Sequence, residues 1–201
     1  EVAVASFFWG AYLGEDGLVN GVNITVSPWK RLSLESFPSS TKASGQYLNS
    51  MLAVQDARKR GYDEALLLNQ DGFVAEGSGQ NIFIVKDNKV ITNGENASIL
   101  MGITRETIIQ LCHDLEIDIQ IMDITHEMLL NADEAFFTGT ASEITPISSV
   151  DDSSIGNGKP GEITLKLKNL YLDIIHGKMS QYTHWLSPIQ CTNDLTPSVA
   201  E

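Results

Sequence analysis

Cysteine is scarce in this sequence. Cys112 and Cys191 are the two present among 201 residues, and no metal-ligand spacing surrounds either. A disulfide-stapled framework and a cysteine-based metal site are both excluded, and reduced cytoplasmic thiols are expected. Positive charge is also short. Thirteen basic residues face 26 acidic ones, a net charge of −13. That excludes nucleic-acid backbone and anionic membrane as main partners. A small anion is not excluded, because backbone amides at a helix start bind one whatever the net charge. Long apolar runs are missing too. "VAVASFFW" falls well below the roughly 20 residues that a membrane helix needs. No secretory signal is visible. The sequence has no GxSxG elbow, no Walker loop and no HExxH pair. The four histidines form no pattern, and no metal site is expected. Initiator methionine is absent as well. The chain opens in a strand-like run, so an upstream segment is expected to precede it.

What is present suits a globular core. Apolar residues make up 42% of the chain, an ordinary share. Strands are predicted at Val2–Trp9, Val22–Ser27, Glu64–Asn69, Gln80–Lys86, Lys89–Thr92, Ile117–Ile124 and Asp133–Gly139. "IDIQIM" alternates as a half-buried strand should, and "KDNK" between two strands predicts a tight hairpin. Helices are predicted over Ser44–Arg60, Thr104–Leu115, Thr125–Asn131 and Gly161–His176. In the first of these, Tyr47, Met51 and Val54 share a face with Leu48 and Leu52 beside it. In the last, Ile163, Leu167, Leu170 and Ile174 form a stripe. Asp151, Asp152 and the "SSIGNGKPG" that follows read as a polar hairpin or loop. Strands dominate and helices interrupt them irregularly. An α/β class is therefore expected, with a mixed, α+β-like sheet rather than a regular βαβ repeat. Residues 1–186 are expected to form one domain and 187–201 a polar C-terminal tail.

One lysine stands out. In "FPSSTKASGQYLNS" Lys42 is the lone charge, just ahead of a helix whose start carries partial positive charge. Two readings stand at this point: an exposed loop lysine, or an amine held partly neutral as a nucleophile toward a carbonyl. Glu76 closes "GFVAE" before a glycine turn. It is either a solvated turn residue or a carboxylate projected into a pocket. "EGSGQN", "MGITRE" and "TGTASE" each place small residues beside a strand end or helix start, where backbone amides can face an anion. Singly, each is equally an ordinary turn or cap.

Taken together and in order, "STKASGQYLNS", "RKRGYDEALLLNQDGFVAEGSGQNIF", "GITRETII" and "ADEAFFTGTASEITPI" resemble the branched-chain amino-acid aminotransferases. These are class IV aminotransferases, pyridoxal 5′-phosphate (PLP) enzymes of fold type IV. "FFWGAYLG" and "GKMSQYTHWL" extend the resemblance to nearly the whole chain. It implies a large PLP-binding domain whose N-terminal small domain is absent here. The activity implied is transfer of an amino group between leucine, isoleucine or valine and 2-oxoglutarate. D-amino-acid aminotransferases and aminodeoxychorismate lyases share the fold and remain open. So does a non-catalytic domain that binds a phosphate-bearing ligand, which would have no need of Lys42 or Glu76.

By the same resemblance Lys42 is the residue that bonds covalently to PLP, and Glu76 partners its pyridine nitrogen. Tyr47 lies near its phenolic oxygen, and Ile103, Thr104 and Thr140 hold its phosphate. Thr140 and Ala141 receive the substrate carboxylate, and Tyr12 lines the substrate pocket. Gln46 stands where the family often has asparagine and Gln80 where glutamate is common; neither is assigned a role. The phosphate arginine is expected upstream. A homo-oligomer is implied, and residues 1–201 alone are expected to expose an apolar face and to have little activity.

Overall fold

The computed structural model describes residues 10–188 together with Ala3, Ala5 and Phe7. Most of the expected Val2–Trp9 strand, most of the expected tail and Cys191 lie outside the described residues. Among the described residues nine strands form one mixed sheet: β1 (Val22–Val26), β2 (Glu64–Leu68), β3 (Val74–Gly77), β4 (Asn81–Lys86), β5 (Lys89–Thr92), β6 (Ile119–Ile121), β7 (Glu134–Gly139), β8 (Glu143–Val150) and the short β9 (Ser153–Ser154). The spatial order is β3-β2-β1-β8-β7-β4-β5-β6, with β9 pairing β8. β1 runs parallel to both of its neighbours, β2 and β8, and β5–β6 is also parallel. The remaining pairs are antiparallel. Val74 in β3 and Ile124, just beyond β6, are joined by an antiparallel bridge. The Val74 N–H donates to the Ile124 carbonyl at 2.8 Å. The two edges of the sheet therefore meet, and the sheet is curled rather than open.

β-branched and aromatic side chains supply the interior. Val22, Ile24, Leu66, Ile82, Phe137 and Val150 are fully buried in one cluster. The β4–β5 hairpin turns at Asp87 (φ 49°) and Asn88 (φ 61°), residue types that tolerate the left-handed region a two-residue hairpin needs. Five helices are described: α1 (Glu15–Asn20), α2 (Tyr47–Lys59), α3 (Ile103–Asp114), α4 (His126–Leu130) and α5 (Glu162–Ile175). α1 has no counterpart among the helices expected from the sequence. On α5, Leu167 and Ile174 of the expected stripe are buried.

Helix α2 corrects the expected apolar face. Its buried residues are Ser50, Ala53 and Ala57, and the two alanines pack on Ala65 and Leu67 of β2. Tyr47, Leu48, Met51 and Leu52 are exposed instead. Small side chains let the helix axis approach the sheet closely, and the bulky residues are turned away from it. The predicted strand Ile117–Ile124 also contracts, to Ile119–Ile121. β6 pairs on one side with β5, and Glu116 before it sits at φ 55°.

The chain divides into two compact units, residues 1–168 and 169–201, with the boundary inside α5. In the second unit Gly177 takes φ 72° just after the helix, and a 3-10 turn, Ser180–Trp185, brings the rings of Tyr182 and Trp185 to 4.7 Å between centroids at a tilt of 42°. Among the described residues no helix is long and apolar enough to cross a membrane. None of their His, Cys, Asp and Glu clusters is placed to hold a metal ion.

Candidate active site

A cavity of about 300 Å³ opens on one side of the curled sheet. Its lining comes from Arg31 in the loop after β1, the segment before α2 and the first turn of that helix, the ends of β3 and β7, the start of β4 and the start of α3. Lys42, Tyr47, Glu76, Ile103, Thr104 and Thr140, all named from the sequence, line it. Residues separated by almost a hundred positions thus share one space. Tyr12 and Ala141 are not among the lining residues. Tyr12 instead borders a neighbouring cavity with Arg58, Tyr62 and Asp63.

Each side chain is placed by local chemistry. Lys42 lies two residues before a 3-10 turn, Ser44–Gln46, that leads into α2. Buried Gln46 donates from Nε2 to the Thr41 carbonyl at 2.7 Å, and the Ala43 amide donates to the same oxygen at 2.9 Å. The segment carrying Lys42 is tied down from both sides. Gln46, which has no role on the sequence reading, is one of those ties.

Glu76 lies in β3 and is buried. Its Oε1 is 2.6 Å from the guanidinium of Arg31, itself buried. Its Oε2 accepts from Asn81 Nδ2 at 3.1 Å and from the Leu100 amide at 3.2 Å. Burial raises the carboxyl, and Arg31, the Leu100 amide and Lys42 pull it back; burial wins, and the group stands at about 7. Arg31 is fixed in turn. Its amide donates to the Leu68 carbonyl at 2.8 Å, and its carbonyl accepts from Gln70 at 2.8 Å. Nothing periodic in "SPWKRLS" marks Arg31. The signal that could have found it is Glu76 itself, since a carboxylate buried in a strand requires a cation or several donors.

The start of α3 supplies donors. The first intrahelical bond is from the Glu106 amide to the Gly102 carbonyl. The amides of Ile103, Thr104 and Arg105 therefore lie ahead of any helical acceptor, an arrangement that favours an anion. Gly102 permits it: a Cβ there would collide with Asn81 Oδ1. Arg105 is fully buried and donates to the Asn93 carbonyl at 2.6 Å, which fixes this turn from below. Among the described residues Thr138 Oγ1 is buried without a hydrogen-bond partner, and Thr138 lines the cavity. A buried hydroxyl left this way fits a site meant for a polar occupant.

Chemically, the cavity combines an amine, a buried carboxylate braced by arginine, and a helix start able to hold a phosphate. The model of the family described as "Amino-transferase class IV" matches residues 1–150. A probable branched-chain-amino-acid aminotransferase of Aquifex aeolicus is 44% identical over 190 residues, which are 94% of this chain and 60% of that protein. A branched-chain aminotransferase of Thermoproteus uzoniensis, solved with norvaline, aligns at TM-score 0.87 and 45% identity, covering 92% of this chain and 60% of that one. A T.th. branched-chain amino acid aminotransferase solved with pyridoxamine 5′-phosphate aligns at TM-score 0.86 and 41% identity, covering 90% and 59%. The chain thus spans about 60% of the length of the curated relatives it matches. With three quarters of its length inside that family's model and a lysine–carboxylate cavity at its centre, the chain belongs to the class IV aminotransferases.

Proposed function

We propose that this chain carries the PLP-binding part of a branched-chain-amino-acid aminotransferase, exchanging an amino group between leucine, isoleucine or valine and 2-oxoglutarate. The observation that carries the reading is the shared cavity, in which Lys42 faces the same space as Glu76 and the first turn of α3. The residues fit the cofactor. The amides of Ile103 and Thr104 with the Thr140 hydroxyl would hold the phosphate, and Glu76 would meet the pyridine nitrogen. The Tyr47 hydroxyl would serve the phenolic oxygen from its place in the cavity lining.

PLP when bound supplies an electron-accepting ring that stabilises negative charge at the substrate Cα. The protein does the rest. With the cofactor bound, Glu76 would keep a proton on the ring nitrogen, and that positive charge would favour the ionised form of Glu76 despite burial. Arg31 holds the Glu76 carboxylate in line. The Lys42 amine removes the proton from Cα and returns it on the other side of the exchange. The amide of Thr140, with that of Ala141 next to it in the chain, would receive the substrate carboxylate; Tyr12, which borders the neighbouring cavity, would meet the substrate side chain only from outside this lining. The protein acts as a homo-oligomer, at least a dimer, a reading supported by the apolar residues exposed along α2 and at Ile103 beside the cavity.

Borohydride reduction in the presence of PLP, followed by peptide mapping, tests the reading. A pyridoxyl adduct on Lys42 is expected, with loss of leucine–2-oxoglutarate exchange when Lys42→Ala is made in the full-length protein. An adduct on another lysine, or normal exchange by Lys42→Ala, overturns it.

A further inference from the structure

Outside the cavity lining, a fully buried asparagine joins two of the elements that build the site. Asn93 follows directly on β5. Its Nδ2 donates to two consecutive carbonyls of β3, Val74 at 2.7 Å and Ala75 at 2.5 Å. Two acceptors facing one atom fix the amide's orientation, since an oxygen in that place would be repelled by both. The Asn93 backbone carbonyl accepts from Arg105 Nη2 at 2.6 Å, and Arg105 belongs to the first turn of α3, next to Thr104. Asn93 Oδ1 and Arg105 Nε are buried and, among the described residues, unpartnered. The strut between β3 and α3 thus rests on those three bonds.

The β3 end of the strut falls on an irregularity. Leu67 pairs with Glu76 and Leu68 with Val74, which leaves Ala75 as the extra residue of a bulge. A bulge re-aims the side chain beside it. In a regular strand Val74 and Glu76, two residues apart, would share a face. Here Val74 packs in the cluster that holds Ile82, whereas Glu76 accepts from Asn81, the residue before Ile82 and so on the opposite face of β4. The bulge at Ala75 is what lets Glu76 turn to the cavity. Ala75 packs on Ala97 and Ile99, and Asn93 holds the carbonyls on both sides of the bend.

We propose that Asn93 is a positioning residue for the cofactor: it pins the bulge that aims Glu76 and, through Arg105, the start of α3, and so sets the separation between the carboxylate for the pyridine nitrogen and the amides for the phosphate. The inference rests on the reading of the cavity as a PLP site. It adds what keeps the two ends of that site in register. Support of this kind, from a residue that does not touch the ligand, decides whether a site is held tightly enough to grip.

The test compares PLP, pyridoxal and inorganic phosphate as ligands of the full-length apoprotein. The first two are titrated by absorbance and the third by its shift of the melting midpoint. In Asn93→Ala the PLP dissociation constant is expected to rise about tenfold, the effect of one neutral hydrogen bond at the upper end of its range. The constants for pyridoxal and for inorganic phosphate are expected to stay at their wild-type values. Each of these can follow its own anchor when the two drift apart; PLP, held at both ends, cannot. A residue that merely supports the fold would weaken all three together. Asn93→Ser keeps one donated hydrogen, is expected to show a smaller loss of the same pattern, and serves if Asn93→Ala does not fold. An unchanged PLP constant in the variant that is measured, or an equal loss for all three ligands, overturns the proposal. Borohydride mapping of the wild type separates this failure from failure of the PLP reading. A pyridoxyl adduct on Lys42 with either of those outcomes sinks the strut alone, and no adduct there sinks the reading beneath it.

Discussion

At the scale of single residues, Glu76 is the most sensitive position. Its carboxyl stands at about 7 in the free protein because burial outweighs Arg31. The folded value lies above the unfolded one, so the folded state holds an extra proton between roughly pH 4.5 and 7. In that window stability falls as pH rises, and the loss is complete above the folded value. Glutamine mimics the protonated form. The stability of the wild type relative to Glu76→Gln should therefore drop by about 3 kcal/mol between pH 4.5 and 7. Denaturant melts of the two proteins across that range would measure it; a wild type that gains on the variant as pH rises would mean that Arg31 wins instead. In the loaded enzyme the same variant should keep PLP but lose the charge at the ring nitrogen. A charge-assisted hydrogen bond is worth about 1.5–3 kcal/mol. Turnover should then fall about 10- to 150-fold, and unchanged turnover would leave Glu76 as the anchor of Arg31 alone.

At the scale of elements, the start of α3 depends on one missing Cβ. Gly102 has an ordinary backbone, φ −72° and ψ 143°, so Gly102→Ala would bring no backbone strain. The cost is steric, because Asn81 must move and loosen its bonds to Glu76 and to the Leu100 carbonyl. A loss of about 1–3 kcal/mol is expected, together with weaker PLP binding in an absorbance titration. Wild-type values for both would show that Asn81 relocates freely.

The elements also show where the sequence is readable. β2, β4, β5 and β7 are continuous apolar runs with turn residues at their ends, and their bounds fall within a residue of expectation. β8, the longest strand, lies outside the expected set. "EITPISSV" carries a proline and two serines, which argue against a central strand. It is one nonetheless: Pro146 pairs with Phe136 of β7, and the β1 ladder on its other side begins one residue later, at Ile147. The chain thus spares Pro146 a lost bond through a register that no local pattern encodes. Likewise Lys42, Glu76 and the α3 start are legible as motifs. Arg31, Gln46 and the buried hydrogen bond from Gln80 Nε2 to Glu64 at 3.0 Å are not, because each is defined by a partner distant in sequence or by a side chain folding back on its own turn. The face of α2 departs from expectation because size, not polarity alone, decides which side of a helix can approach a sheet.

At the scale of the whole molecule, the residues turned outward on α2 form a surface. Leu48 is 67% exposed, Met51 52% and Leu52 46%, and Ile103 at the cavity mouth is 85% exposed. Such a cluster beside a site marks an interaction surface. The proposed oligomer predicts that Leu48→Glu combined with Met51→Glu yields a monomer by sedimentation equilibrium, with PLP affinity reduced. A double variant of unchanged mass would place the subunit contact elsewhere. The sheet has a further consequence, one that concerns time rather than space. β1, complete by residue 26, lies between β2 and β8, and β8 ends only at Val150. Its second neighbour is made more than a hundred residues after it. Long-range parallel pairing of this kind slows folding. A nascent chain on the ribosome therefore carries an unfinished apolar strand while more than a hundred further residues are made, and the sheet can close only once β8 has emerged from the exit tunnel.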